Sequence, residues 1–339
     1  MVAFVTGATG LLGSNLVRLL IEQGYQVRAL VRSARKAASV FSGMPVEFIE
    51  NDVRNVADYQ QALVGCDVVF HTAAFFREYF QPGDHWKTLE ATNITATIDL
   101  LRAAERQGVK KVIYTSSSGV IGMQPGADWG DESCAPDAHA MENLYFRSKV
   151  IAEQEIATFL KTSQLPVVLI LPGWMFGPSD TAPTSSGQIV RDFLAQRLPG
   201  ILDGGGSPVD VRDVAQGMIN AVARGISGER YIIGGDRFVT FRELLETLQQ
   251  VSGVAAPTMP IPYAISLVYA WVSEQYGRIT GKPVLATVNG VRTLKQRRQT
   301  RSDKAVRELG VTFRPLSETL RDEVTWFRAN EMVSHPATV

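Results

Sequence analysis

The stretch "ENLYFRSKVIAEQE", residues 142–155, opens like a helix and carries Tyr145 four residues before Lys149. On a helix those two positions share a face and can reach one ligand. An isolated phenol titrates near ~10 and is a poor acid or base at neutral pH, whereas a neighbouring ammonium favours phenolate and lowers that value. The pair could therefore move a proton. It could also be an aromatic in a core beside a lysine in water, because the spacing alone is a weak signal. Position separates the two readings. The pair follows the strand-like "YTSSSG" and precedes the strand-like "PVVLILP", where a helix should pass the crevice of a parallel sheet.

A second group stands at the chain start. In "VTGATGLLG", Gly7, Gly10 and Gly13 follow a short apolar run and open a helical pattern. Gly7 permits a tight turn, Gly10 lets a pyrophosphate approach the backbone, and Gly13 allows close packing of helix on strand. The backbone of Thr9, Gly10, Leu11 and Leu12 lies at the positive end of that helix, where free N–H groups hold phosphates. This context, a strand before and a helix after, predicts a bound dinucleotide rather than a plain turn. An NAD site usually places an acid about 20 residues further on. Here "ALVRSARK" offers Arg32, Ser33, Arg35 and Lys36 instead. Cations without an acid suit the 2′-phosphate of NADP, with Arg32 the main contact and Lys36 or Arg35 assisting; NAD stays possible. A cationic nicotinamide would join Lys149 in favouring phenolate at Tyr145, and Lys149 could also hold the nicotinamide ribose.

Positioning these groups requires a sheet. "VAFVT", "QVRALV", "VEFIE", "DVVFHTA", "KKVIYTS" and "PVVLILP" read as strands, with helical segments between most of them. The helix "LLGSNLVRLLIEQG" stops at Gly24. Such alternation predicts an α/β fold, a doubly wound parallel sheet with its ligand crevice at the carboxyl ends of the strands. After Pro172, Gly, Pro and Ser cluster in "GPSDTAPTSSG" and "LPGILDGGGSP", and later residues read mainly helical. The expected organisation is a dinucleotide-binding domain at 1–170, with 208–236 returning to it. A smaller, mostly helical C-terminal substrate lobe follows at 171–207 and 237–330, with a tail at 331–339.

Composition narrows the class further. The 339 residues include 45% hydrophobic and 20% charged side chains, an ordinary globular balance. With 34 basic and 34 acidic residues, no basic excess marks a dedicated nucleic-acid binder. Cys66 and Cys134 are too few for a disulfide framework or metal cluster, which fits a reducing cytoplasm. No secretory signal is legible at the start. The apolar run "AISLVYAWV" at 264–272 is far short of the ~20 residues a transmembrane span needs, and suggests an amphipathic surface or lid helix. Of the four histidines, His71, His85, His139 and His335, only His71 belongs to a motif, and a strand-end histidine there is more often structural than a proton carrier. No metal site is expected.

In order along the chain, "TGATGLLG", "YTSSSGVIG", Tyr145-x-x-x-Lys149 and "PGWMFGP" resemble the extended short-chain dehydrogenases/reductases, the NAD-dependent epimerase/dehydratase superfamily, over nearly the whole chain. "VFHTAA", "TNITATIDLLRAA", "VDVRDVAQGMINAVARGISGERYIIGG" and "VTFRELLETL" are most similar to bacterial members of the dihydroflavonol-4-reductase-like and hopanoid-associated epimerase-like groups. The resemblance implies a Rossmann fold and a serine that polarises the substrate oxygen with Tyr145: Ser117, with Ser118 its nearest rival. It also implies adenine contacts at Asp52 and Val53, a cofactor-lining turn at Ala73 and Ala74, a supporting Asn93, and Pro172 to Met175 beside the nicotinamide. A homodimer through helices beside the Tyr145 helix is a further family expectation.

Two features bear on substrate. Leu171 stands where the family often has arginine before the proline, a departure that leaves the general chemistry intact. Nucleotide-sugar enzymes need cations for a diphosphate; Arg191, Arg197 and Arg212 are available, without a clear signature. Tyr263, Tyr269, Trp271 and Tyr276 could form an apolar lid or simply pack in a core. The combined expectation is an NADP-dependent oxidoreductase that interconverts a ketone or aldehyde with its alcohol through Ser117, Tyr145 and Lys149. The alternatives are a nucleotide-sugar epimerase or dehydratase with retained cofactor, and a non-catalytic NADP-binding sensor.

Overall fold

In the computed structural model the described residues are 1–76, 85–280 and 287–332, with Arg278 described for its backbone alone. Residues 333–339 of the expected tail, His335 included, lie outside them. In chain order the strands are β1 (Val2–Thr6), β2 (Gln26–Val31), β3 (Val46–Glu50), β4 (Val68–His71), β5 (Lys111–Thr115), β6 (Trp129–Gly130), β7 (Val167–Pro172) and β8 (Trp174–Phe176). They continue with β9 (Ile201–Leu202), β10 (Gly205–Gly206), β11 (Pro208–Asp210), β12 (Arg230–Ile233), β13 (Val239–Thr240), β14 (Pro260–Ile261) and β15 (Gln299–Thr300). Seven of these make one parallel sheet in the order β12-β7-β5-β4-β1-β2-β3. The chain reverses its direction of build-out between β1 and β4, and at such a switch point a crevice opens at the carboxyl edge.

Alternation along the strands puts one set of side chains on each face. Ala3, Val5, Phe70, Ile113 and Ile170 face a core shared with α1 (Leu11–Glu22), α2 (Ala34–Val40) and, later in the chain, α9 (Val211–Arg224). Phe4, Val69, Val112, Tyr114 and Leu171 face the opposite core, built with α3 (Val56–Tyr59), α5 (Ala96–Arg106) and α7 (Leu144–Leu160). Both faces are therefore covered, which is why these strands read as nearly continuous apolar runs. Helix α4 (Trp86–Leu89) runs through a wide π turn at Glu90–Thr95 into α5, and α6 (Ala138–Glu142) leads into α7. Asn143 caps α7, its side-chain oxygen accepting from the Tyr145 and Phe146 N–H groups at 3.1 and 3.2 Å.

The rest is mainly helical: α8 (Ser185–Leu194), α10 (Phe241–Ser252), α11 (Tyr263–Thr280), α12 (Val288–Lys295) and α13 (Leu316–Ala329). Phe176, Phe193, Phe241, Leu244, Leu320 and Phe327 form a separate core among α8, α10 and α13. Of the segments expected to return to the sheet, "RYIIGG" does so as edge strand β12, paired with β7. "VDV" does not. Beyond Pro172 the β7 chain turns away: Gly173 bonds back to Ile233, while Trp174 takes the carbonyl of Ser207, so β8 and β11 pair apart from the main sheet. The aromatics of α11 depart from a core packing too. Tyr269, Trp271 and Tyr276 are exposed and Tyr263 is half-buried, because the helix turns its small residues inward.

Candidate active site

The glycine turn after β1 has the geometry that phosphate binding asks for. Gly7 has φ +66°, and a Cβ there would sit 2.7 Å from the Ala73 nitrogen. A Cβ on Gly13 would meet the Gly7 carbonyl oxygen at 2.2 Å, so α1 lies against the turn with no room for a side chain. Gly10 differs: its Cβ would meet only the Gly7 oxygen, at 3.3 Å, so its outer side is open. No side chain caps the α1 N-terminus that Gly10 begins, which leaves the first helical N–H groups to another acceptor. Thr9 and Gly10 are half-buried there, and Leu11 and Leu12 are buried. A dinucleotide pyrophosphate fits this bare, close-approach turn.

The other expected cofactor residues follow the ends of neighbouring strands. After β2, Arg32, Arg35 and Lys36 are exposed, and none forms an ion pair among the described residues. Ser33 caps α2 instead, accepting from the Lys36 N–H at 3.4 Å. After β3, the Asp52 carboxylate accepts from the Arg54 guanidinium at 2.8 and 2.9 Å and is held below its ordinary range by that contact. The Val53 carbonyl accepts from the Tyr59 hydroxyl at 3.0 Å. After β4, the Ala73 N–H donates to the Thr6 hydroxyl at 3.2 Å, and Ala74 joins an apolar cluster with Phe75, Phe76 and Trp86. Pro172 is buried at the end of β7, and Met175 is half-buried on β8. His71 is fully buried between the hydroxyls of Thr6, at 2.7 Å, and Thr97, at 3.0 Å; burial lowers it to about 3, so it stays neutral.

Helix α7 carries Tyr145 and Lys149 into the crevice beside the end of β5. Both are buried. The Lys149 ammonium donates to the Thr115 carbonyl at 2.8 Å and to the Tyr114 hydroxyl at 3.4 Å, and lies 6.0 Å from the centroid of the Tyr145 ring. Ser117 begins the turn after β5, its hydroxyl accepting from the Gly119 N–H at 3.2 Å; Ser118 is the next residue of that turn and half-buried. The turn lies tight on α7: a Cβ on Gly119 would come within 2.3 Å of the Phe146 ring, next to Tyr145. Asn93, in the π turn, ties the layers together. Its amide nitrogen donates to the Ser148 hydroxyl at 3.0 Å, and its oxygen accepts from the Phe75 N–H at 2.8 Å. A wide turn of this kind often marks a functional site.

One expectation reverses in sign. The sequence argument has the lysine acidifying the phenol, yet burial pushes the Tyr145 hydroxyl above its ordinary value. Burial also lowers Lys149 to about 7, against the pull of Glu153. Desolvation penalises the charged form of each group, and at 6.0 Å their mutual attraction is the smaller effect. Tyr145 is thus a protonated phenol at neutral pH in the protein by itself.

Sequence reasoning missed residues that the fold adds here. Glu153 extends the row Tyr145–Lys149–Glu153 by one more helical step, a signal that was present in the quoted stretch. It is half-buried, accepts a short hydrogen bond from the Ser116 hydroxyl and lies 3.5 Å from Arg230. Arg230 comes from β12, about 80 residues on, and nothing local announces it. Leu171, in the place where the family often has arginine, is fully buried in the core. Phe76 stands edge-on to Tyr145 at 4.8 Å between ring centroids, and Phe75, Trp86, Leu89 and Phe146 complete an apolar wall around it. Among the described residues no group of His, Cys, Asp or Glu is placed to hold a metal ion, and no helix is long and apolar enough to cross a membrane.

Known proteins are similar to this chain over nearly its whole length. A putative dihydroflavonol 4-reductase of Synechocystis sp. (strain ATCC 27184 / PCC 6803 / Kazusa) is 34% identical, covering 96% of this chain and 94% of its own. Sterol demethylase protein B of Methylococcus capsulatus (strain ATCC 33009 / NCIMB 11132 / Bath) is 30% identical over 98% of this chain and 100% of its own. The crystal structure of gox2253 superposes with a TM-score of 0.83 at 32% identity, covering 98% of this chain and 99% of that one. Relatives are named reductases and dehydrogenases, and the chain is an enzyme of the NAD(P)-dependent oxidoreductase type. A family model matches residues 3–234, in keeping with the Rossmann sheet and its glycine turn, and the chain belongs to the NAD dependent epimerase/dehydratase family.

Proposed function

We propose that this enzyme is an NADP-dependent reductase of apolar ketones or aldehydes, with Ser117, Tyr145 and Lys149 as its catalytic set. The observation that carries the reading is the aromatic wall around Tyr145, built by Phe75, Phe76, Trp86 and Phe146. Such a wall suits an apolar carbonyl compound and offers little to a diphosphate. Bound NADPH would be held by Gly7, Thr9, Gly10, Leu11 and Leu12 at its pyrophosphate, by Arg32 and Lys36 at its 2′-phosphate, and by Asp52 and Val53 at its adenine. Ala73, Ala74, Pro172 and Met175 would line the remainder, and the nicotinamide supplies the hydride.

The chain's own residues do the rest. The Tyr145 hydroxyl donates its proton to the carbonyl oxygen as negative charge develops there, and the Ser117 hydroxyl donates a hydrogen bond to the same oxygen. Burial keeps the phenol protonated, the form from which it can donate. Lys149 holds Tyr145 in register through Thr115 and Tyr114, and would orient the nicotinamide ribose. We read 1–170 with 208–236 as the cofactor unit and 171–207 with 237–330 as the substrate lobe, in a cytoplasmic enzyme that forms homodimers.

Epimerase or dehydratase chemistry on a nucleotide sugar is less well supplied. The cations available for a diphosphate are engaged within the protein: Arg191 with the Met332 carbonyl at 2.8 Å, Arg197 with Asp192 at 2.6 Å, and Arg212 with Asp210 and Asp322. A panel of carbonyl compounds and nucleotide sugars, followed by NADPH absorbance, tests the reading. Net NADPH consumption with apolar ketones or aldehydes is expected. A tightly retained cofactor with turnover of a nucleotide sugar and no net NADPH loss would overturn it.

A further inference from the structure

Helix α11 is built inside out. Ser266, Ala270 and Gly277 are its buried positions, while Ile265, Val268, Tyr269, Val272, Tyr276 and Ile279 are exposed, Val268 at 63% and Ile279 at 86%. Their spacing of three or four places all six on one face roughly 100° wide. Among the described residues that face has no charge: Glu274, the acidic residue of the helix, lies on another side and accepts from the Val288 N–H at 2.9 Å. Exposed Trp271 borders the stripe. A surface helix in water normally shows the opposite pattern, and a contiguous apolar patch of this kind marks an interaction surface.

Charge identifies the partner. Residues 263–301 contain seven basic residues and one acidic residue, in a chain whose totals are 34 and 34. Lys295 and Arg297 pair with Asp203, and Arg298 pairs with Asp137. Arg301 stacks over Trp129 at 3.7 Å, and Arg292 is exposed with no ion pair among the described residues. Even with those two aspartates counted, residues 263–301 keep a net charge of +4. A second copy of the chain docking through the same face would bring two positive hairpins together. An anionic lipid surface complements both features at once, because the stripe enters the headgroup boundary and the cations meet the phosphates. Tyr and Trp, apolar with a polar tip, suit that boundary.

We infer that α11 seats this enzyme on anionic membrane surfaces as a peripheral, in-plane helix. The inference stands apart from the reductase reading, so either can fail without the other.

The experiment is co-sedimentation of the full chain with phosphatidylcholine vesicles, with and without an added phosphatidylglycerol fraction, at low and high salt. Wild type should pellet with the anionic vesicles, weakly with neutral ones, and less at high salt. The Val268→Glu/Val272→Glu variant should lose at least about tenfold in vesicle affinity, with thermal unfolding and NADPH-dependent activity in solution unchanged. Ile279→Glu, at the most exposed position, serves as a second variant should the first not fold, and should weaken binding in the same sense. Failure of wild type to pellet, equal binding to neutral vesicles, or undiminished binding by the folded variants would overturn the inference. So would light scattering that shows a dimer dissociating in these variants, since it would assign the face to a second copy.

Discussion

Removing one hydroxyl separates proton transfer from binding. Tyr145→Phe keeps the ring against Phe76 and deletes the donor, so kcat should fall by roughly 10²–10⁴ while the NADP affinity is retained. Fluorescence titration of the cofactor beside steady-state assays reads both, and a rate within about tenfold of wild type would remove Tyr145 from the mechanism. Arg32 bears on the choice of cofactor: Arg32→Ala should raise KM for NADPH by about tenfold or more and leave KM for NADH nearly unchanged. His71 makes a pH prediction. Its folded value is lowered from 6.5 to about 3, so between those values the unfolded chain binds a proton that the folded chain refuses. Its contribution is complete above pH 6.5 and is lost as pH falls. From pH 6.5 to 5 wild type should lose roughly 2 kcal/mol more than His71→Gln, by urea unfolding at each pH.

At the scale of elements, the turn between β1 and α1 distinguishes packing from ligand approach. Gly13→Ala would drive a methyl into the Gly7 carbonyl, so it should lower stability by about 1–3 kcal/mol and cofactor binding with it. Gly10→Ala meets one atom, at 3.3 Å, and should leave the melting temperature within a few degrees while weakening the dinucleotide about tenfold or more. Differential scanning fluorimetry with and without NADP separates the two, and a Gly10→Ala protein that binds normally would move the pyrophosphate elsewhere. The turn of Ser117 depends on α7 in the same way, since Gly119 lets it lie on Phe146. The groups proposed as catalytic, Ser117 after β5 and Tyr145 and Lys149 on α7, thus depend on close contact between the two elements.

For the molecule as a whole, the sheet places the ends of seven parallel strands along one edge, and a dinucleotide bound there should stabilise the whole fold. NADP at 100 times its dissociation constant should add about 2.7 kcal/mol to the unfolding free energy, and NAD at the same concentration distinctly less. Equal stabilisation by both would argue against 2′-phosphate recognition. The helical lobe, with its own core of Phe176, Phe193, Phe241 and Phe327, stands apart from the two cores of the sheet. Its Arg191 and Arg197 are engaged within the protein, which leaves the aromatic wall as the chemistry facing Tyr145.

The amino-acid sequence by itself determined the sheet, the glycine turn and the α7 row, because each rests on local spacing: apolar runs for doubly covered strands, three glycines at fixed offsets, and a period of four along a helix. It also carried the family, through motifs in a fixed order. Tertiary structure decided what depends on groups far apart in the chain. Burial sets the protonation of Tyr145 and Lys149, overriding the pairwise charge argument, since desolvation depends on everything packed around them. Arg230 reaches Glu153 only because β12 adds beside β7, and β8 with β11 leaves the main sheet where Pro172 turns the strand away. Whether the aromatics of α11 face the core or water was likewise undecidable from periodicity, because an apolar stripe reads the same on either side of a helix.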